Sequence, residues 1–238
     1  MEQFVYHNLF ETKGIEYIIT IVFFVLLVPF WLILSKKKTL KEQAQTAFGT
    51  ITADILRIPQ GLFYCPNHLW SHLEKSGLAK VGIDDFLQHV AGEIQISHFI
   101  DPDSRVEKGQ TLFEIRHNEK SLTLAAPIPG TIAGINPELQ KNPYIINLDP
   151  YGTGWIYKLK PENWKDEIAS CYFAEDSTNW METELSRFKK FISTSVDKYM
   201  PETNEAAYLK NGELIEHTLT SMPSEIWNDF QRKFLDKV

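Results

Sequence analysis

The chain has 238 residues, of which 43% are hydrophobic and 23% charged, which is the composition of a globular protein and excludes a disordered or low-complexity one. That length accommodates one ordinary domain with appendages, or two small domains. A net charge of −7, with no stripe of Lys and Arg, speaks against a nucleic-acid partner, because phosphate binding needs clustered cations. In chain order, residues 1–16 read as a short outer tail. Tyr17 to Leu34 then runs YIITIVFFVLLVPFWLIL without a charge. A run of about 18 apolar residues just crosses the hydrocarbon core as a helix, so residues 17–35 are expected to form a transmembrane helix. Glu2, Glu11 and Glu16 precede it, and Lys36, Lys37, Lys38 and Lys41 follow. Basic residues stay inside, which makes the expected location a single pass through the cytoplasmic membrane, N-terminus outside and bulk in the cytoplasm, with the membrane as a partner.

Residues 36–57 read as a basic and polar stalk. From 58 to 161 the pattern is short β-rich runs (LFY, HLWSHL, LAKVGI, EIQISHFI, TLFEI, SLTLAA, GTIAGI, GWIYKL) punctuated by Pro, Gly, Asn and Asp, the mark of a compact antiparallel β-domain. Asp84 to Val90 is the one helical turn in it, N-capped by Asp84. TLFEI and SLTLAA flank the polar tip Arg116-His117-Asn118-Glu119-Lys120, as a protruding hairpin requires. Residues 162–238 carry apolar side chains at helical spacing, with a last amphipathic helix over Ser224 to Leu235 capped by Ser224. Trp180, Leu185, Phe188, Phe191, Ile226, Trp227, Phe230 and Phe234 are too many large apolar groups to leave in water, so these segments need a surface to cover. The fold class is therefore mainly β with α. Cys65 and Cys171 lack a C-x-x-C partner and read as free thiols. His68 and His72 fall in a β-like run about 13 Å apart, too far for a metal pair, and no metal site is expected. Neither a phosphate loop nor a dinucleotide fingerprint is present, and no catalytic constellation is legible, so the expectation is a non-enzyme.

The order of blocks over roughly Leu62 to Leu159 resembles the H protein of the glycine cleavage system. NHLW at 67–70, GLAKVGIDDFLQHVAGEI at 77–94, VEKGQTLFEI at 106–115, APIPGTIAGIN at 126–136 and NPYIINLDPYGTGWIYKLKP at 142–161 carry the resemblance. It implies the barrel-sandwich hybrid of lipoyl and biotinyl domains, two small antiparallel sheets with a tight hairpin at one edge. In lipoylated members the cofactor is joined by an amide to a hairpin lysine, ten residues after the glycine of the K-G turn and eight before the proline. With Gly109 and Pro127 as landmarks, both counts end on Glu119, and Lys120 is one place late. A slip of one residue turns a strand side chain to the opposite face, and a glutamate cannot form the amide.

The leading expectation is thus a membrane-anchored docking or scaffold protein with no covalent cofactor, binding unidentified protein subunits of an integral redox or transport complex. The alternative is a carrier H protein of glycine cleavage, lipoylated on Lys120. A third reading is an efflux-type membrane-fusion adaptor, which joins a span to a lipoyl-like domain but carries a long helical hairpin that this tip of a few residues lacks.

Overall fold

The computed structural model describes residues 17–27 and 49–237, which fall in two compact units divided between Phe48 and Gly49. In the first unit, residues 17–27 are helical. At 1.5 Å per residue those eleven residues rise about 16 Å, roughly half the hydrocarbon core. No helix among the described residues is long and apolar enough to cross a membrane. The transmembrane helix expected over 17–35 is therefore not found, and the single-pass cytoplasmic-membrane placement loses its premise; Val28 to Leu34 and the lysines at 36–38 and 41 lie outside the described residues.

The second unit contains the strands β1 (Thr50–Ile51), β2 (Phe63–Tyr64), β3 (Leu69–Leu73), β4 (Ala79–Ile83), β5 (Gln95–Phe99), β6 (Arg105–Val106), β7 (Thr111–His117), β8 (Lys120–Ala125), β9 (Gly130–Ile135), β10 (Tyr157–Pro161), β11 (Tyr172–Phe173), β12 (Leu209–Lys210) and β13 (Glu213–Ile215). Among the described residues they form a seven-stranded sheet ordered β11-β2-β3-β4-β10-β9-β6 and two three-stranded sheets, β5-β7-β8 and β1-β13-β12. Every pairing is antiparallel, whether the strands are joined by a short turn, as β7 and β8 are, or meet from far apart in the sequence, as β4 and β10 do; Gly109, at φ +82°, closes the turn that leads into β7. The inner faces of the two larger sheets meet through Val81, Ile132 and Leu159 on one side and Phe113, Ile115 and Leu124 on the other. Tyr157 stitches them together: its hydroxyl accepts from the Ile100 amide at 2.7 Å and donates to the Leu112 carbonyl at 3.2 Å.

Helix α1 (Asp85–Ala91) begins where expected, with the Asp84 side chain accepting from the Leu87 amide at 2.9 Å. Helix α2 (Glu175–Tyr199) is 25 residues long, and helix α3 (Ser224–Phe230) continues as a π turn over Gln231–Leu235. These make the architecture mixed α and β where mainly β was expected. Ser224 does not cap α3; Pro223 holds the cap position without a side-chain hydrogen bond. The apolar faces of α2 and α3 are not left to solvent. Phe188, Ile226, Phe230 and Phe234 are fully or almost fully buried in one core that runs without a break from Ile51 to Leu235. Residues 50–51, expected as part of the stalk, form β1 instead, and its pairing with β13 joins them to the C-terminal tail; residues 36–48 lie outside the described residues.

Cys65 and Cys171 form a disulfide across 106 residues, so the free-thiol reading is corrected. Two cysteines so far apart in sequence become neighbours because β2 pairs with β11, Tyr64 opposite Tyr172. Such bonds persist where thiols are not kept reduced, which also counts against the cytoplasmic placement. Closing a loop of this size constrains the unfolded chain, and Cys171→Ser is expected to lower unfolding stability by about 2–4 kcal/mol. Urea denaturation of the two proteins measures it; equal midpoints would mean that the bond does not form in solution.

Candidate functional site

The β7–β8 hairpin is the feature on which the sequence reading turned. Its strands are in register, Arg116 opposite Ser121 and His117 opposite Lys120, which leaves Asn118 and Glu119 as a two-residue loop. Asn118 takes φ +55°, a conformation that Asn tolerates better than most residues. Glu119 is exposed at the tip. Lys120 is the first residue of the returning strand, and its amine is turned away from the tip. It donates to the Thr220 carbonyl at 3.1 Å and to the Met222 carbonyl, and lies 5.5 Å from the centre of the Trp227 ring. Burial there lowers the Lys120 pKa below the usual lysine range, because the charged form loses water.

The same segment covers the next residues of the strand. β8 is an edge of its sheet, so its outward amide and carbonyl groups need partners. The Gln231 carboxamide supplies both: Thr123 N donates to Oε1 at 2.8 Å, and Nε2 donates to the Thr123 carbonyl at 2.9 Å. A side-chain amide thereby stands in for a neighbouring strand. The sequence reading missed Thr220, Met222, Trp227 and Gln231 as residues of this site. Two of them act through backbone carbonyls, for which residue type carries no signal.

Two cavities lie on the other flank of the hairpin. One of about 440 Å³ is bounded by Glu93, Gln95, Arg116, His117 and Tyr144, with His117 Nδ1 3.0 Å from the Glu93 carbonyl. The other, about 320 Å³, shares Glu93 and Tyr144 and reaches Asp85, His89 and His217. Tyr144 and Leu148 are 54% and 70% exposed on its rim. His89 bridges two carboxylates here, Asp85 at 3.3 Å and Glu216 at 3.0 Å, and Asp85 also accepts from the Arg57 backbone amide and guanidinium. His68 and His72 do not converge. His68 is buried against Asp84, whereas His72 is exposed beside the Gly61 carbonyl. No metal-binding cluster is present among the described residues.

Burial lowers the His89 pKa, but the Asp85 and Glu216 carboxylates outweigh it and leave the group above its ordinary 6.5. Burial likewise raises Asp85, and His89 with the Arg57 amide outweighs that, holding it below 3.8. A histidine raised on folding adds stability that is complete below its unfolded value and is lost as pH climbs through the native one; a depressed aspartate adds stability above its unfolded value, lost as pH falls. Between pH of about 6 and 8 the His89 contribution falls as pH rises, while His217 in the same cavity, held below its ordinary 6.5 by burial, contributes in the opposite sense; His89→Gln should therefore make the slope of stability against pH less negative than in the native protein. Urea midpoints across the range measure it, and an unchanged slope in the variant would contradict the pairing.

The family profile for the glycine cleavage H-protein matches residues 62–184. Curated relatives include the probable glycine cleavage system H protein of Pyrococcus horikoshii, 32% identical over 127 residues, covering 53% of this chain and 94% of the relative. The glycine cleavage system H protein of Psychrobacter is 34% identical over 119 residues, covering 50% and 94%. A crystal structure of a glycine cleavage system H protein from Mycobacterium marinum is similar at 26% identity and a TM-score of 0.41, over 44% of this chain and 87% of that one.

Proposed function

Since this chain belongs to the glycine cleavage H-protein family, a family of non-catalytic proteins, we propose that it acts as a protein-docking subunit of the H-protein type whose hairpin is closed by its own C-terminal segment and carries no covalent cofactor. The observation that carries this reading is the hairpin tip. Glu119, on which the counts from Gly109 and Pro127 both end, cannot form an amide, while the neighbouring amine of Lys120 is engaged by the Thr220 and Met222 carbonyls and lies near the Trp227 ring. The residues present at the tip do not fit lipoate, so no chemical step is assigned to it. The exposed Tyr144 and Leu148 beside the two cavities give the β-domain an apolar rim to present to another protein.

A second reading is favoured by the relatives themselves, which bear the name of the glycine cleavage H protein. In it Lys120 is the lipoylated residue of a carrier. Its lowered pKa leaves more of the amine neutral and able to attack an activated acyl group, but the tail must first release it.

Mass spectrometry separates the two. Incubated with a lipoate ligase, the native protein is expected to keep its unmodified mass, while an Asn118→Val, Glu119→Lys, Lys120→Ala tip gains the mass of lipoate less one water. A native chain modified on Lys120 would overturn the docking reading in favour of the carrier.

A further inference from the structure

A cationic groove lies between α2 and the C-terminal turn, wholly outside the residues that match the family. On α2, Arg187, Lys190, Phe191 and Thr194 follow the i, i+3, i+4, i+7 spacing that lines up one helix face. Arg232, Lys233 and Lys237 face them from the π turn and the residues just beyond it, around a cavity of about 440 Å³. Five cations therefore meet in a chain of net charge −7. Glu184 and Asp229 answer two of them, pairing with Arg187 and Arg232. Lys190, Lys233 and Lys237 are exposed and have no ion-pair partner among the described residues. Arg187 Nε is buried without a hydrogen-bond acceptor. Burial lowers the pKa of Lys237, and the nearby Arg187 charge lowers it further, so these two cations oppose each other.

We propose that this groove is a docking site for an acidic segment of a partner protein. Nucleotides and other aromatic phosphates fit it less well. The Phe234 ring already has the Arg187 guanidinium 4.0 Å from its centre, and Phe191 has the Lys233 amine at 5.1 Å, so these ring faces are engaged by cations rather than open to stack a base. The groove also draws its lining from the middle of a helix, whose amides are spent on the helix itself, and so offers no cradle of backbone N–H groups for a phosphate. What remains is a set of separate cations lining one groove, three of them exposed lysines without an ion-pair partner among the described residues. Carboxylates spaced along an extended or helical peptide match that arrangement.

The test is fluorescence anisotropy of a labelled oligoglutamate peptide titrated with the full chain. Binding is expected, weakening steeply as salt approaches about 0.15 M. The variant Lys190→Glu, Lys233→Glu, Lys237→Glu should lose affinity about tenfold or more, while Lys75→Glu, Lys165→Glu, Lys210→Glu, which changes net charge equally on other exposed lysines, should bind like the native protein. Circular dichroism checks that both fold, and Lys190→Gln alone, a mild exposed change, should give a partial loss. Absence of binding, or equal loss in the two triple variants, would overturn the proposal. So would displacement of the peptide by ATP at concentrations well below those needed with unlabelled oligoglutamate, which would mark a phosphate site.

Discussion

An edge strand with bare amides and carbonyls cannot sit beside a dry apolar surface, and the way β8 meets this constraint shapes the rest of the chain. Its inner side chains, Leu122 and Leu124, belong to the core, and its outer edge is sealed by the Gln231 carboxamide at Thr123. Once Gln231 is fixed there, α3 must lie along the hairpin. Trp227 then falls over Lys120 and donates its indole N–H to the Leu219 carbonyl at 2.7 Å. The turn at 218–222 is thereby held where its carbonyls meet the Lys120 amine. A hairpin that would otherwise protrude becomes part of the body.

A second seam holds α2 to the β-domain through a buried polar chain. His68, with φ +62° and no solvent exposure, places Nδ1 2.8 Å from Asp84 and Nε2 3.4 Å from Glu184, the latter too poorly aligned to count as a hydrogen bond. Its ring stacks on Phe86 at 4.5 Å and leans toward Trp180 at 5.3 Å. Glu184 pairs with Arg187, which in turn donates to the Lys233 carbonyl. Asp84, the cap of α1, is thus linked through His68 and Glu184 to the C-terminal turn. The members of this polar chain come from three separate parts of the sequence. The cationic groove is the outer face of this seam.

Much of the β-domain was legible because its signals are local. Asp84 reads as a helix cap from its neighbours alone. The DPYGTG stretch reads as a turn because Asp149 takes the amides of Gly152 and Thr153, a contact of three and four residues. Its Tyr151 reaches further, donating to the Arg57 carbonyl and accepting from the Asp85 amide, both at 2.8 Å. The tail was half legible: its apolar load required burial, but nothing local told where. Lys120 meets carbonyls a hundred residues away, and the cysteines meet across 106. No periodicity encodes either. The N-terminal run misled for a related reason, since an uninterrupted apolar composition fixes neither the length of a helix nor its surroundings.

Native-state hydrogen exchange of the full chain reads the closure of the hairpin by the C-terminal segment at one atom. The Thr123 amide, bonded to Gln231 rather than to a strand, should be protected and should open together with the amides of α3 and not with the exposed tip. Rapid exchange of Thr123, at the rate of a free sheet edge while α3 stays protected, would show that the hairpin stands open and would contradict it.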